Sequence, residues 1–276
     1  MTKLLGLSGV ILPVESKEAG DRFLTDIGLP YGVCSNQSTV RLAEGGGLPI
    51  LNWFQHDGEA RAYMDPDGFR HYMRPSWPQN VQVAQSQTNT ATYQNRVNKR
   101  ATSDAKVAPV KVAHIALYVT KLEESLAFYK ALGFHVSDSI KGRCVFLRCS
   151  VSGEHHDLLL VQSDRAGLHH LSLEMPDIYT VFSKGLRMDS FGWKTRLGPG
   201  RHPISSATFW YLDSPFGLVE IAADHDYVTE GWQPEEFEPS LETATEWAVD
   251  GGISHTTRRQ HGVKAQGAFV DQHKKG

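Results

Sequence analysis

Hydrophobic positions along the chain follow two alternating periods. His114-Ile115-Ala116-Leu117-Tyr118-Val119 is an apolar run of strand type, and after it Leu122, Leu126 and Tyr129 fall on one helical face. Thr120 and Glu123 have the spacing of a capping box at the start of that helix, and Gly133 stops it. The pattern repeats from His170-Leu171-Ser172-Leu173-Glu174-Met175, with Ile178, Val181, Phe182 and Leu186 as the stripe within Asp177–Met188. Short strand candidates trail each helix. They are Phe134–Asp138, Arg143–Cys149 and His156–Gln162 after the first, then Phe191–Leu197, Ala207–Leu212 and Leu218–Ala222 after the second. The predicted unit is therefore β-α-β-β-β. One further copy is recognisable near the N-terminus. There Gly9-Val10-Ile11-Leu12-Pro13-Val14, Phe23 and Gly28-Leu29 match His114 to Val119, Phe128 and Gly133-Phe134 without a gap. It ends at the turn Asp65-Pro66-Asp67-Gly68, before a last strand at Phe69–Met73. Paired units of this kind predict an α+β fold of curved mixed sheets.

Polar composition punctuates these units. Gln, Asn, Ser or Thr occupy 15 of the 28 positions from Gln79 to Lys106, which leaves too little apolar surface for a packed element. Residues 79–106 read as a linker between an N-terminal module, 1–78, and a domain of two modules, 107–228. Residues 229–276 form a tail, acidic and then basic. Thr229–Asp250 carries seven acidic residues and no basic one, so one side of it should stay solvated, and Leu241–Val249 is a helix candidate.

Composition narrows the function classes. Across 276 residues, 40% are apolar and 21% charged, enough to bury a sizeable core. Basic residues number 28 and acidic 31, for a net charge of −3, so no basic excess exists to neutralise nucleic-acid phosphates. No apolar run is long enough to span a membrane, and the N-terminus lacks the pattern of a secretory leader. Cys34, Cys144 and Cys149 are odd in number and form no Cys-x-x-Cys pair, which fits a reducing, cytoplasmic setting. The 13 histidines are the unusual feature, because histidine is both the commonest metal ligand and an acid–base group near neutrality.

Two of them stand at equivalent places. His114 and His170 sit on the first strands of adjacent repeats, and Glu220 sits on the last strand of the final repeat between apolar Val219 and Ile221. A single strand histidine is ordinarily a hydrogen-bonded core residue. Repeat symmetry changes that reading, because equivalent positions on paired modules face one cavity from two sides. A buried glutamate with no cationic neighbour would also be costly. Two histidines and one carboxylate form the facial triad of non-haem Fe(II) oxygenases, with coordination positions left open. The N-terminal copy has Gly9 in place of the histidine, and Arg70, His71 and Tyr72 follow its turn where a carboxylate would be needed. It should hold no metal, and His56 and His71 should be surface or core residues. Gly45-Gly46-Gly47 and Gly198-Pro199-Gly200 lack the setting of phosphate loops and read as turns.

The C-terminal part resembles the vicinal oxygen chelate superfamily, and within it the type I extradiol ring-cleavage dioxygenases. Four segments carry the resemblance: Ala113 to Tyr118, Glu154-His155-His156-Asp157-Leu158, Gly167 to Ser172, and Gly200-Arg201-His202-Pro203 running to Tyr211, Ser214-Pro215-Phe216-Gly217 and Glu220. The resemblance implies that His114, His170 and Glu220 ligate Fe(II), with Mn(II) also compatible. It implies that His156 stands beside the oxygen site and that His202 and Tyr211 hydrogen-bond the catecholate. A catechol-type substrate, O2 and a homo-oligomeric assembly are implied with them. Two departures stand out. Ser214 occupies the usual Asp of the turn, and the short Gly217–Glu220 spacing leaves Trp210 as the alternative to Tyr211. Tyr211 is preferred, since Trp cannot act as acid or base. His155 and His169 should face away by strand alternation, unless loop geometry exchanges either with its neighbour.

Two rival functions remain. A glyoxalase-type isomerase or lyase of the same superfamily generally uses four protein ligands, and His156 could be the fourth. A non-catalytic small-molecule binding protein of the same fold would usually lack the triad. The tail leaves the sheet a few residues after Glu220, so Tyr227–Phe237 is expected to border the cavity mouth, with a purely stabilising clasp as the alternative.

Overall fold

The computed structural model describes residues 3–56, 58–81, 89–98 and 107–253. The N-terminal elements are β1 (Leu4–Val14), α1 (Lys17–Ile27), β2 (Thr39–Glu44), β3 (Ile50–Gln55), β4 (Arg61–Met64) and β5 (Arg70–Pro75), which form a five-stranded sheet in the order β2-β1-β3-β5-β4. The first C-terminal repeat comprises β6 (Lys111–Val119), α2 (Leu122–Leu132), β7 (His135–Ile140), β8 (Cys144–Arg148), β9 (Gly153–Glu154) and β10 (Leu158–Gln162). The second comprises β11 (Gly167–Glu174), α3 (Ile178–Ser190), β12 (Thr195–Arg201), β13 (Thr208–Ser214) and β14 (Gly217–Ala223). The tail adds β15 (Tyr227–Val228), β16 (Glu235–Phe237), α4 (Leu241–Ala244) and β17 (Trp247–Asp250). Ten strands form one mixed sheet in the order β16-β7-β8-β10-β6-β11-β14-β13-β12-β17, so the two repeats share a sheet across β6 and β11. The fold is α+β, mostly strand.

Local signals mostly act where the pattern puts them, with informative exceptions. Gly133 ends α2 in the left-handed region at φ 104°, which glycine adopts without Cβ strain. The capping box of Thr120 and Glu123 does not form. Asp67, from the turn before β5, takes both the Thr120 amide and its hydroxyl, and Gln162 Oε1 accepts from Leu122 N at 2.9 Å instead. A long-range partner thus replaces the local cap, while α3 does carry a capping box, between Asp177 and Thr180. The expected helix over Leu241–Val249 is one turn only. Thr245 is extended, and β17 adds antiparallel to the otherwise free edge of β12. The polar stretch 79–106 lies partly outside the described residues.

The N-terminal sheet contains more than one unit. Its pairs β1·β2 parallel, β1·β3 antiparallel, β3·β5 parallel and β4·β5 antiparallel repeat the directions of β6·β10, β6·β11, β11·β14 and β13·β14. Its Asp65–Gly68 turn corresponds to Ser214–Gly217. The second half escapes sequence comparison because no helix stands between β3 and β4. Its concave face presents Ser8, Thr39, Arg41, Asn52 and Tyr72. Gly9 pairs with Thr39 so closely that a Cβ there would lie 2.4 Å from Thr39 Oγ1 and 2.8 Å from its carbonyl oxygen.

One continuous core joins both sheets and the helices. Phe23 of α1 meets Trp193 and Phe216 edge-on at 4.9 and 5.4 Å. Trp53 Nε1 donates to His71 Nδ1 (3.1 Å), which leaves the His71 proton on Nε2, 3.2 Å from Tyr129 Oη, and Tyr129 Oη donates to Asp65 Oδ2 (2.8 Å). His71 is therefore a neutral core residue, and burial pushes it down to about 3. The unfolded chain takes up this proton below its ordinary value near 6.5 while the folded protein does not, so stability is full above that value and is lost as pH falls toward 3. Between pH 7 and pH 5 the loss should be about 2 kcal/mol. Urea denaturation of the wild type and His71→Gln at both pH values checks this. The wild type should lose more stability than the variant, and parallel losses would refute the assignment.

Candidate metal centre

Strand register gathers the candidate site. Ser172 of β11 lies opposite His114 of β6 and beside Glu220 of β14, which in turn lies opposite Tyr211 of β13. Residues level across neighbouring strands point to the same face, so His114, Glu220 and Tyr211 share the concave side. His170, two residues from Ser172, joins them. Trp210 points the other way, into the space left by Gly185 of α3, and its Nε1 donates to Thr195 Oγ1 at 2.8 Å. Tyr211, not Trp210, therefore lines the cavity.

His114 Nε2 lies 2.9 Å from His170 Nε2 and 3.2 Å from Glu220 Oε2, and His170 Nε2 lies 3.7 Å from that oxygen. All three side chains are buried, and they are the cluster among the described residues whose donor atoms could hold a metal ion. Ligands ~2.1 Å from one ion in adjacent octahedral positions stand ~3.0 Å apart, so these spacings fit three corners of one coordination face. The charge states fit too. Burial pushes both histidines down, toward neutral imidazoles with a free lone pair. Burial alone would raise Glu220, but its contacts with the imidazoles of His114, His202 and His170 hold it well below the usual carboxylate range. No protein group satisfies Glu220 Oε2 by hydrogen bonding.

Around this cluster lies a cavity of about 260 Å³. His202 Nδ1 donates to the carbonyl oxygen of Ala244 (2.8 Å), which fixes its tautomer and leaves Nε2 3.3 Å from Tyr211 Oη and 3.4 Å from Glu220 Oε1. Its ring stacks on Phe209 at 4.1 Å. His156 precedes β10 rather than lying on it, with its ring 4.2 Å from that of His114. His155 does face away. Its Nε2 donates to Asp138 Oδ2 (2.8 Å), leaving Nδ1 to accept from His156 Nδ1 (3.1 Å), so His156 presents a bare Nε2.

Three features differ from sequence expectation. His169 lines the cavity beside His170, because Leu168 opposes Leu117 and His170 opposes Ala116, making His169 the extra residue of a β-bulge. The tail reaches the cavity through Thr243 and Ala244, not through Tyr227–Phe237. That earlier segment instead clasps the far edge, where β16 pairs with β7 and Trp232 Nε1 donates to Ser137 O at 2.8 Å. Finally, His225, whose side chain is buried, lines the cavity, and no local pattern marks it. Burial would lower it, but Glu174 at 2.9 Å and Glu154 beyond push it up to about 9.

Known proteins share the sequence family and the fold. Residues 111–220 match the Glyoxalase/Bleomycin resistance protein/Dioxygenase superfamily. Metapyrocatechase 2 of Cupriavidus necator is 30% identical over 149 residues, 52% of this chain and 46% of that protein, so the match spans about half of the relative's length. The Mn(II)-bound glyoxalase from Novosphingobium aromaticivorans shares the fold with a TM-score of 0.71 at 18% identity, over 91% of this chain and 93% of that one. The 2,3-dioxygenase LapB from Pseudomonas sp. KL28 does so with a TM-score of 0.69 at 17% identity, over 86% of this chain and 98% of that one.

Proposed function

Because residues 111–220 constitute a domain of the glyoxalase/bleomycin resistance protein/dioxygenase superfamily, we propose that this chain is an Fe(II)-dependent extradiol dioxygenase opening the ring of a catechol-type substrate with O2. On this reading residues 107–228 are the metal-binding domain and 1–78 a module without metal. The observation that carries it is the meeting of three metal-capable donor atoms with His156, His202 and Tyr211 in one cavity. His114, His170 and Glu220 would hold the ion; Mn(II) suits the same donors. When bound, the ion supplies coordination for adjacent catechol oxygens and electron transfer toward O2.

The protein's own groups then have distinct tasks. His202 Nε2 accepts a hydroxyl proton from the substrate, its Nδ1–H held by the Ala244 carbonyl. Tyr211 keeps its phenolic proton, since burial and then the charge of Glu220 push it well above its ordinary value, and so acts as a hydrogen-bond donor. His156, oriented by His155 and Asp138, offers Nε2 to receive and return a proton on the opposite side. The four-ligand isomerase reading has less support, because β10 offers no carboxylate and three side chains gather at ligand spacing among the described residues.

Anaerobic loading with Fe(II), followed by a catechol panel in an oxygen electrode, tests the assignment. Oxygen uptake matched by ring opening is expected. Protein that binds metal fully yet consumes no O2 with any catechol would sink it.

A further inference from the structure

The concave face of the large sheet is apolar on both sides of the candidate metal centre, and the two sides have different fates. On one side Phe209, Tyr211 and Ala222 cluster with Leu197, Leu218 and Ala248, the last from the tail strand β17. The tail covers that side, and of its six residues only Tyr211 lines the cavity. On the other side Ala116, Cys144 and Leu159 cluster with Ile140, Phe146 and Val161. This cluster is separate from the main core, and five of its six side chains line the cavity. These side chains border open cavity space rather than packing under the tail. A molecule anchored at the centre can therefore extend over this apolar surface, along β8 and β10.

That direction has a polar end. Successive cavity-facing residues on β10, Leu159 and Val161, carry the apolar floor away from His156, with about 7 Å between the two at ~3.3 Å per residue. Arg143 and Gln162 close the far end. The Gln162 amide is committed: Oε1 accepts from Leu122 N, and Nε2 donates to the carbonyls of Thr120 and Ser163. The Arg143 guanidinium has no hydrogen bond or ion pair among the described residues. A fork of N–H donors at the end of an apolar trough suits a planar anion.

Resting on the proposed extradiol reading, we propose that the substrate is a catechol with an extended apolar substituent that ends in a carboxylate, received by Arg143. The catechol end occupies the centre, the chain lies over Phe146, Leu159 and Val161, and the acid meets the guanidinium at the rim. The tail, by filling the opposite side, sets the orientation in which the ring must bind.

Iron-loaded protein assayed with catechol, 4-heptylcatechol and 7-(3,4-dihydroxyphenyl)heptanoate tests this. Expected kcat/KM rises at least tenfold from catechol to the heptyl compound and at least tenfold again to the acid. Arg143→Ala should erase the second step, and Leu159→Trp, which fills the trough, the first. If the wild type cleaves catechol but shows neither step, the substrate assignment is overturned and the dioxygenase reading stands. If no catechol is cleaved, the dioxygenase reading fails, and calorimetry with 7-phenylheptanoate and its amide decides the trough by itself. Tighter binding of the acid, lost in Arg143→Ala, upholds the trough; equal binding of acid and amide overturns it.

Discussion

Alanine at Glu220 should remove nearly all bound metal and reduce turnover by at least ~10³-fold while the sheet stays folded. The carboxylate is the only anion among the three converging donors, and its loss leaves two imidazoles to hold a divalent ion. The backbone has little reason to change. Val219 and Ile221, on either side, remain in the core, and β14 stays paired along both edges. Metal analysis after reconstitution, with circular dichroism as the check on folding, reads the outcome. A folded Glu220→Ala protein with a full complement of metal would disprove the ligand assignment. His170→Ala should behave in the same way, and if it retained metal then His169, brought to the same side by the bulge, would become the candidate ligand.

Replacing His202 by phenylalanine should lower turnover ~10²–10⁴-fold and leave metal content intact, which is the usual size of a lost acid–base contribution. Phenylalanine preserves the stack on Phe209 and removes both the Nε2 lone pair and the tie to the Ala244 carbonyl. His156→Phe should cost a similar factor, with peroxide released because the lost proton shuttle lies on the opposite side of the centre. Single-turnover assays with O2 and peroxide electrodes separate the two variants. Loss of metal in His156→Phe alone would make His156 a fourth ligand and favour the four-ligand isomerase reading.

Much of this candidate site is legible in the sequence because its parts lie on repeated strands. Equivalence of His114 and His170 follows from the repeat, and Glu220 stands out as an acid between core residues. The His202–Tyr211 pair follows from the family resemblance, but choosing Tyr211 over Trp210 physically depends on the β13·β14 register. What stayed hidden depends on contacts between distant segments. The bulge at His169 is set by pairing with β6 and breaks the alternation from which its direction was inferred. His225 is held by Glu174 from another strand. Trp247–Asp250 had helix-compatible spacing, and only the free edge of β12 turns it into a strand. The second half of the N-terminal sheet was missed because it has shed the helix that makes a repeat recognisable.

The contact at Gly9 makes the difference between the two sheets hard to reverse. Restoring a histidine there would require more than one substitution, since any side chain must first push β2 outward at Thr39, whose Oγ1 lies 2.4 Å from where its Cβ would stand. The parallel pair β1·β2 runs through six matched positions, so that movement would propagate along the whole edge. Backbone spacing at Gly9 therefore opposes a histidine ligand there. For protein engineering, the N-terminal half is a scaffold whose concave face can be re-decorated around Arg41 and Asn52, whereas grafting the His–His–Glu set onto it would demand rebuilding a strand.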